Sequence, residues 1–475
     1  MDEKIIGRDR EFELLSKYMK SRKNEFVALY GRRRVGKTFL VRNFFNDKFD
    51  FYVSGVIDGT KEEQFAAFNN ALAAYGYRGK PLSNWIDAFA ALGGLLKRKM
   101  KGKKRRCVVF IDELPCFDTR NSRFVKAFGY FWNSQASWLD NVFLIVCGSA
   151  TSWMIKNIVD NRGGLHNRIT HQIHLKPFDL NQTELYFKIH RAKWDRLSIL
   201  QIYMALGGIP YYLSLLDFSE SAAANIDRLF FADNAELHKE YKRLFQSLYS
   251  NPDHYIEIIN QLSKSKKGLT RKEIAKNVGT ADNGHLGETL DNLVNCDFVR
   301  TYYNGTKRNQ CIYQLMDFYL LFYHQFCLRG TTDTRFWQNG IGTPQQNTWY
   351  GLAFERVCMW HVHQLLQALH LDTIHTEYYS WRSSVSDPKT QIDIAIDRSD
   401  GIVTLCEAKY SKTAFTLTKA EYERILYREE AFKTETKCRK GVQNILVTTN
   451  SVNRNTYSDI FLKIITLDDM FEPLK

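Results

Sequence analysis

The chain has 475 residues, of which 44% are hydrophobic and 25% are charged, and its formal net charge at pH 7 is +14. This composition is that of an ordinary globular protein, excludes collagen-like and disordered chains, and at this length predicts roughly two to four domains. With no run of about 18 apolar residues and no signal-peptide core, a soluble, cytoplasmic protein without a membrane partner is expected. The 9 cysteines show no C-x-x-C spacing, which predicts reduced thiols rather than disulfides or zinc ligands.

The positive charge is distributed unevenly along the chain. Residues 345–475 contain 16 basic and 17 acidic side chains, so the excess of Lys and Arg lies in residues 1–344. The segment Lys97–Arg106 alone carries eight positive charges and no negative one. Such a run is either a solvated loop or a contact for nucleic acid, and the sequence leaves both interpretations open.

A phosphate-binding motif follows the first apolar run. Phe26–Tyr30 predicts a buried strand, Gly31–Thr38 reads G-x-x-x-x-G-K-[ST], and Phe39–Phe45 is typical of a helix. In this context the loop N–H groups cradle phosphate, Lys37 neutralises the β and γ oxygens, and the Thr38 hydroxyl reaches Mg²⁺. The predicted nucleotide-binding residues of the motif are Gly31, Arg32, Arg33, Arg34, Val35, Gly36, Lys37 and Thr38.

An acidic strand end supplies the second half of an NTPase site. Cys107–Ile111 is a continuous apolar run, typical of a parallel strand covered on both faces, and Asp112 and Glu113 follow it. We expect Asp112 to hold Mg²⁺, directly or through water, and Glu113 to polarise the attacking water. An ordinary solvated turn is the alternative for these two carboxylates.

Two further polar residues are candidates for contact with the γ-phosphate. The apolar run Val142–Cys147 predicts a third strand, after which Ser149 is either a polar sensor or a helix N-cap. Arg168 follows a Gly-Gly pair and is either a finger arginine that stabilises transition-state charge or a surface residue.

Together these motifs resemble the archaeal-type ATPases of the AAA/STAND group. The resemblance covers about residues 1–250 and includes the opening Ile6–Glu11 and the later segment Gly207–Tyr212. It implies an ATP-binding α/β core with a small helical lid, with ATP and Mg²⁺ as cofactors. It also implies that Gly7 and Arg8 lie near the adenine.

Residues 254–330 resemble a winged helix-turn-helix. A capping box at Thr270–Glu273 begins a helix over 271–278, a second helix is predicted over 284–295, and Asn304-Gly305 is a hairpin signal. In a DNA reader the second helix enters the major groove and the wing meets phosphates, whereas other winged helices contact proteins or cover ATPases. The predicted nucleic-acid contacts are Asn283, His285, Asn292, Lys307 and Arg308.

Carboxylates are predicted to face each other across a hairpin near the end of the chain. Gln391–Asp397 alternates apolar and polar residues, and Ile402–Tyr410 follows a short turn. Asp393 and Glu407 are nearly equidistant from that turn, and Lys409 shares the face of Glu407. Two carboxylates and a lysine on one face suit Mg²⁺ and a water nucleophile, although ion-paired structural strands show the same pattern.

This pattern resembles the PD-(D/E)XK nuclease fold, of the DUF234 type, over residues 345–475. The resemblance implies a preceding helix with an acid, and Gly351–Cys358 supplies it with Glu355. It implies that Glu355, Asp393 and Glu407 bind the metal and that Lys409 is catalytic. The chain departs from the family pattern at Asp393, which no proline precedes, and both a competent nuclease and a relict fold stay open.

These motifs lead to three hypotheses for the function. The first is an ATPase whose turnover controls nucleic-acid binding, to DNA in particular, and metal-dependent phosphodiester cleavage. The second is a nucleotide-switched regulator that binds DNA or a protein and has an inert nuclease-like domain, and the third is a homo-oligomeric motor. The predicted fold class is α/β, with a P-loop ATPase core at 1–180, a helical lid at 181–253, a winged helix-turn-helix at 254–330 and a nuclease-like α/β domain at 345–475.

Overall fold

A computed structural model describes residues 5–102, 105–249, 251–303, 311–383 and 385–474. Its described helices include none with the length and hydropathy needed to cross a membrane. The chain divides into two compact units. The first comprises Met1–Pro177, Arg243–Pro252 and Asp291–Cys296, and the second comprises Phe178–Lys242, Asp253–Leu290 and Asp297–Lys475.

A five-stranded parallel sheet forms the centre of the first unit. Its strands are β1 (Glu25–Tyr30), β2 (Phe51–Ser54), β3 (Cys107–Asp112), β4 (Val142–Gly148) and β5 (His171–His174). Their order is β2-β3-β4-β1-β5, and all neighbours are parallel. Strands β1, β3 and β4 are buried along their whole length, as expected for strands covered on both faces. The three predicted strands are therefore the central strands of this sheet.

An aromatic core covers one face of this sheet. The first helices of the chain are α1 (Asp9–Lys20), α2 (Lys37–Phe44), α3 (Lys61–Ala74), α4 (Trp85–Met100), α5 (Phe124–Ser134) and α6 (Thr151–Met154). Alternate residues of β1 to β4 pack with α3, α4 and α5 in one cluster. Within it Trp85 contacts Phe124, and Phe89 contacts Phe128, with ring centroids 4.9 and 5.5 Å apart. Burial of such large aromatic surfaces stabilises the packing of these helices on the sheet.

Two arginines of the basic run Lys97–Arg106 make contacts within the first unit. Arg105 forms a 2.6 Å ion pair with the buried Asp50, and Arg106 donates a hydrogen bond to the carbonyl of Ser21. These contacts hold the chain at the entry to β3, so both arginines have a structural role that the sequence did not indicate. Lys103 and Lys104 of the same run lie outside the described residues.

The remaining helices follow residue 178. They are α7 (Leu180–Ile189), α8 (Arg196–Leu206), α9 (Pro210–Leu213), α10 (Ala222–Phe230), α11 (Glu236–Gln246), α12 (Pro252–Ser263), α13 (Arg271–Val278), α14 (Gly284–Asn295), α15 (Phe318–Phe322), α16 (Phe336–Asn339), α17 (Pro344–Trp360), α18 (Val362–Ala368), α19 (Lys419–Thr436) and α20 (Leu467–Met470).

A three-stranded antiparallel sheet accompanies helices α12 to α14. It consists of β6 (Leu269–Thr270), β7 (Val299–Tyr303) and β8 (Cys311–Leu315), in the order β6-β8-β7. The side chains of Thr270 and Glu273 each accept a hydrogen bond from the other's backbone N–H, which is the predicted capping box of α13. Helices α13 and α14 have the predicted bounds, whereas the predicted Asn304-Gly305 turn lies outside the described residues.

A second five-stranded sheet, of mixed direction, ends the chain. Its strands are β9 (Thr376–Arg382), β10 (Gln391–Arg398), β11 (Ile402–Lys409), β12 (Gly441–Thr448) and β13 (Phe461–Ile465), in the order β13-β12-β11-β10-β9. Strands β9, β10 and β11 are antiparallel neighbours, and β11, β12 and β13 are parallel. The predicted hairpin is therefore β10 and β11, in the middle of this sheet.

A buried histidine is expected to make the second unit sensitive to acid. The Nε2 atom of His324 lies 2.8 Å from the hydroxyl oxygen of Tyr241, and burial lowers the pKa of His324 to about 4. The unfolded chain takes up a proton near the ordinary imidazole pKa of about 6.5. Protonation of the unfolded chain therefore lowers the free energy of unfolding as the pH falls from about 6.5 to about 4. Above that interval the histidine is neutral in both states and does not change the free energy of unfolding.

We expect His324→Gln to reduce the acid-induced loss of unfolding free energy between pH 7 and pH 4.5 by about 2 to 3 kcal/mol, because glutamine does not titrate. Urea unfolding of both proteins at the two pH values measures this difference. His375→Gln changes an exposed histidine and is the control. Equal pH dependence in wild type and His324→Gln would show that His324 does not set acid stability.

Candidate functional site

The loop between β1 and α2 has the backbone conformation that a phosphate cradle requires. Gly31, Arg34 and Gly36 have φ angles of 146°, 72° and 89°. A Cβ atom at Gly31 would lie 2.3 Å from the carbonyl oxygen of Leu175, so only glycine fits there. Gly36 is the N-cap of α2, and the first turn of α2 contains no acidic side chain. The N-terminal N–H groups of α2 are thus available to an anion.

Lys37 lies buried against this loop. Its Nζ atom donates hydrogen bonds to the carbonyl oxygens of Gly31 and Arg32, at 2.9 and 3.0 Å. Burial lowers the pKa of Lys37, and the nearby acidic groups partly oppose that shift. A buried ammonium group is costly without a counter-charge, and bound phosphate would supply one.

Two oxygen-bearing side chains meet where α2 begins and β3 ends. The Thr38 hydroxyl donates a 2.8 Å hydrogen bond to the carboxylate of Asp112. Asp112 is buried, which raises its pKa and excludes the solvated-turn interpretation for this residue. A hydroxyl and a carboxylate are the hard oxygen ligands that Mg²⁺ prefers, so the pair fits this cofactor.

Cys147 is a site residue that the sequence analysis missed. Its thiol donates a 2.6 Å hydrogen bond to the carboxylate of Asp112. Cys147 lies on β4, the strand between β1 and β3, and burial keeps the pKa of its thiol well above the ordinary value. The signal available in the sequence was the position of Cys147 at the end of a predicted strand.

Ser149 positions the predicted catalytic base. Both its hydroxyl and its backbone N–H donate to the carboxylate of Glu113, at 2.9 and 3.2 Å. Glu113 itself has a φ angle of 44°, which turns the chain sharply after β3. The N-cap residue of α6 is Ala150, so the interpretation of Ser149 as a helix cap is wrong.

Of the other residues predicted in the first unit, Arg8 contacts the phosphate loop. Arg8 is buried and donates a 3.0 Å hydrogen bond to the carbonyl of Val35, so the opening motif contacts the phosphate loop. Gly7, before it, has a φ angle of 64°. Arg168 is exposed in a turn, and Arg33 is half-buried in the loop.

One of the predicted nucleic-acid contacts, Asn283, lies immediately before α14. The side-chain oxygen of Asn283 accepts hydrogen bonds from the backbone N–H groups of His285 and Leu286, at 3.1 and 3.2 Å. Asn283 therefore caps α14, a role that the sequence analysis overlooked. The ring of His285 stacks on that of His254, and Asn292 is half-buried. Lys307 and Arg308 lie outside the described residues.

The hairpin brings together the carboxylates predicted near the end of the chain. Ile394 pairs with Cys406, so the next pair in this register is Asp393 and Glu407. Burial raises the pKa of Asp393 well above its ordinary value, and the charges of Glu355 and Glu407 raise it further. Burial also raises the pKa of Glu355, which lies on α17.

Glu407 is engaged by two cations. Its carboxylate lies 3.1 Å from Nζ of Lys409 and 2.6 Å from a guanidinium nitrogen of Arg428, on α19. The alternation of the strand predicted that Lys409 lies on the same face as Glu407. No local pattern indicated that Arg428 also contacts Glu407. In the part of the chain that the structure describes, no three His, Cys, Asp or Glu side chains are close enough together to hold a metal ion.

The parallel sheet and the phosphate loop define a P-loop nucleotide-binding protein of the α/β class. Residues 6–216 match the family described as an ATPase domain predominantly from Archaea. Through this segment the chain is similar to that ATPase family, and the similarity supports ATP binding and hydrolysis. The predicted α/β fold with a P-loop ATPase domain is thereby confirmed, whereas the nuclease-like resemblance of residues 345–475 stays a prediction.

Similar proteins include three from archaea. An uncharacterized protein of Methanocaldococcus jannaschii is 23% identical over 370 residues, which cover 74% of this chain and 76% of that protein. The Walker-type ATPase PabY2304 of Pyrococcus abyssi is 17% identical with a TM-score of 0.47, covering 68% of this chain and 97% of its own. Cdc6p of Pyrobaculum aerophilum is 14% identical with a TM-score of 0.33, covering 66% of this chain and 91% of its own.

Proposed function

We propose that this ATPase couples ATP turnover to nucleic-acid binding and to metal-dependent phosphodiester cleavage by residues 345–475. The observation that supports the cleavage step is the strand register, which pairs Asp393 with Glu407 near the buried Glu355. Neither Glu355 nor Asp393 has an ion pair among the described residues. Nearby cations, Arg356 for Glu355 and Arg428 for Asp393, lower the pKa values of these carboxyls, but burial raises both. Buried carboxylates without a direct ion pair can serve as ligands of a divalent cation.

The first unit supplies the ATP chemistry in this proposal. Lys37 and the loop N–H groups bind the phosphates, and Thr38 and Asp112 would hold Mg²⁺, which when bound neutralises phosphate charge. Glu113 orients the attacking water and accepts its proton, and the two hydrogen bonds from Ser149 keep that carboxylate in place.

Four residues are proposed to carry out the phosphodiester cleavage. Glu355, Asp393 and Glu407 would have to move closer together to hold a divalent cation, which when bound polarises a phosphodiester and acidifies water. Lys409, which lies beside Glu407, orients the water nucleophile. Residues 254–330 are proposed to bind the nucleic acid, with DNA as the first substrate to test.

Cleavage assays on single- and double-stranded DNA and RNA, with Mg²⁺ or Mn²⁺ and with and without ATP, test this proposal. We expect cleavage by the wild type and a loss of roughly 10²-fold or more in Glu407→Gln, because the substitution removes a metal-binding charge and keeps the side-chain shape. The rate of ATP hydrolysis should not change in this variant.

Glu423→Gln, which alters an exposed acid on α19, is the matched control. It should cut at the wild-type rate. A wild-type protein that hydrolyses ATP normally but leaves all four nucleic acids intact would refute the cleavage step.

The engagement of Glu407 favours a second candidate function. Because Lys409 and Arg428 already neutralise Glu407, residues 345–475 would then be an inert scaffold in a nucleotide-switched regulator. Such a regulator binds DNA or a protein in a nucleotide-dependent manner without cutting. Equal ATP-dependent DNA binding by wild type and Glu407→Gln, with no cleavage by either, would support it.

A further inference from the structure

A pocket in the second unit is lined by basic side chains. Its empty space is about 430 Å³ when the open solvent at its mouth is counted. Lys266 and Lys267 come from the turn before β6, Arg300 from β7, Arg356 from α17 and Arg382 from β9. These residues are distant in sequence, so the pocket exists only in the folded protein.

Two of the guanidinium groups are buried beside each other without a direct ion pair in the described part of the chain, although the charges of Glu355 and Asp393 act on one of them. Arg356 is only 9% exposed, donates a hydrogen bond to the carbonyl of Lys266, and has a buried Nε atom with no hydrogen-bond partner. Arg300 donates to the side chains of Gln314 and Ser380, at 2.7 and 2.8 Å. Neither arginine has an ion pair among the described residues.

This arrangement is costly for the protein alone. Burial and the charge of Arg356 lower the pKa of Arg300 to about 9, which reflects the cost of holding two like charges in one place. A bound anion would offset that cost, and it would also give the free Nε of Arg356 an acceptor. The pocket therefore has the charge and the donors of an anion site.

Phosphate is the anion that suits these donors. Guanidinium groups bind phosphate oxygens through charge-assisted hydrogen bonds, and lysines add point charges at the rim. Glu355 and Asp393 also line the pocket, so a bound phosphate would lie beside the proposed cleavage site, where five basic residues outnumber the two acids.

We propose that this pocket binds a backbone phosphate of a polynucleotide, adjacent to the phosphodiester that is cut. The choice of a polynucleotide rests on the proposed function, whereas phosphate binding requires only the pocket. A free phosphate or nucleotide would offer the same chemistry, so the experiment separates these sources.

Binding is measured on the full chain with saturating ADP and Mg²⁺, so that the P-loop is filled. The probes are inorganic phosphate and a single-stranded DNA oligonucleotide without terminal phosphates. We expect wild type to bind both, phosphate to compete with the oligonucleotide, and Lys267→Gln to weaken both by about tenfold, because a charge-assisted contact is lost. Lys264→Gln, an exposed change in the same segment, should bind like wild type.

Arg300→Gln should weaken binding more than Lys267→Gln. If the buried substitution Arg300→Gln prevents folding, Lys267→Gln still tests the pocket, because Lys267 is only half-buried. Phosphate binding that depends on Lys267, with no competing oligonucleotide binding, would overturn the polynucleotide as ligand and indicate a free phosphate or nucleotide. Binding of both probes that is unchanged in Lys267→Gln, or no binding of either, would overturn the pocket itself.

The two proposals fail in distinguishable ways. A protein that binds both probes through Lys267 but never cuts would refute cleavage and leave the pocket intact. A protein that cuts normally while Lys267→Gln binds and cuts like wild type would refute the pocket and leave cleavage intact.

Discussion

Glu113→Gln is expected to lower the rate of ATP hydrolysis by roughly 10²- to 10⁴-fold while ATP still binds, which is the contribution of a general base. The glutamine oxygen can still accept the hydrogen bond that Ser149 donates to Glu113, so the turn after β3 should persist. What is lost is the ability to take a proton from the attacking water. Phosphate release measures hydrolysis, and fluorescence of a labelled ATP measures binding.

Glu62→Gln, which changes an exposed acid on α3, is the matched control and should hydrolyse ATP at the wild-type rate. If Glu113→Gln loses ATP binding together with hydrolysis, Glu113 supports the site structurally and is not its base. An unchanged rate would assign the base to another residue.

Lys37→Ala is expected to weaken ATP binding by roughly 10²-fold or more, because the variant lacks the buried ammonium that meets the phosphates. The hydrogen bonds from Lys37 to the Gly31 and Arg32 carbonyls are lost as well, but the loop glycines and the N-terminus of α2 are retained. Titration with labelled ATP gives the dissociation constant, and phosphate release gives the rate.

Lys48→Ala removes an exposed lysine after α2 and controls for the loss of one positive charge. It should bind ATP as wild type does. A dissociation constant for Lys37→Ala within about threefold of wild type would contradict the assigned role, since a lost charge-assisted contact costs about tenfold or more.

Local patterns predicted the phosphate loop well. The residues of Gly31–Thr38 are covalent neighbours, so their spacing alone determines the loop, and the strand before it is recognisable from its apolar run. The same holds for the capping box of α13, in which the two partners, Thr270 and Glu273, lie one helical turn apart. Such features depend on backbone geometry over a few residues.

Local sequence patterns did not predict the contacts between side chains of different strands. Cys147 reaches Asp112 only because β4 lies between β1 and β3, and strand order follows from packing rather than from local spacing. The contact of Ser149 with Glu113 has the same origin. In the second unit, Arg428 meets Glu407 because α19 packs near β11, although the two residues are far apart in the chain.

The sequence by itself determined the similarity of residues 6–216 to an ATPase family, the phosphate-loop motif and the concentration of the positive charge before residue 345. Only the tertiary structure decided how that charge is used. Arg105 is paired with Asp50 inside the first unit, whereas Arg300 and Arg356 converge on one pocket in which basic side chains outnumber acidic ones. The physical reason is that the cost of a charge depends on its burial and its neighbours, and both are set by packing between segments that are remote in sequence.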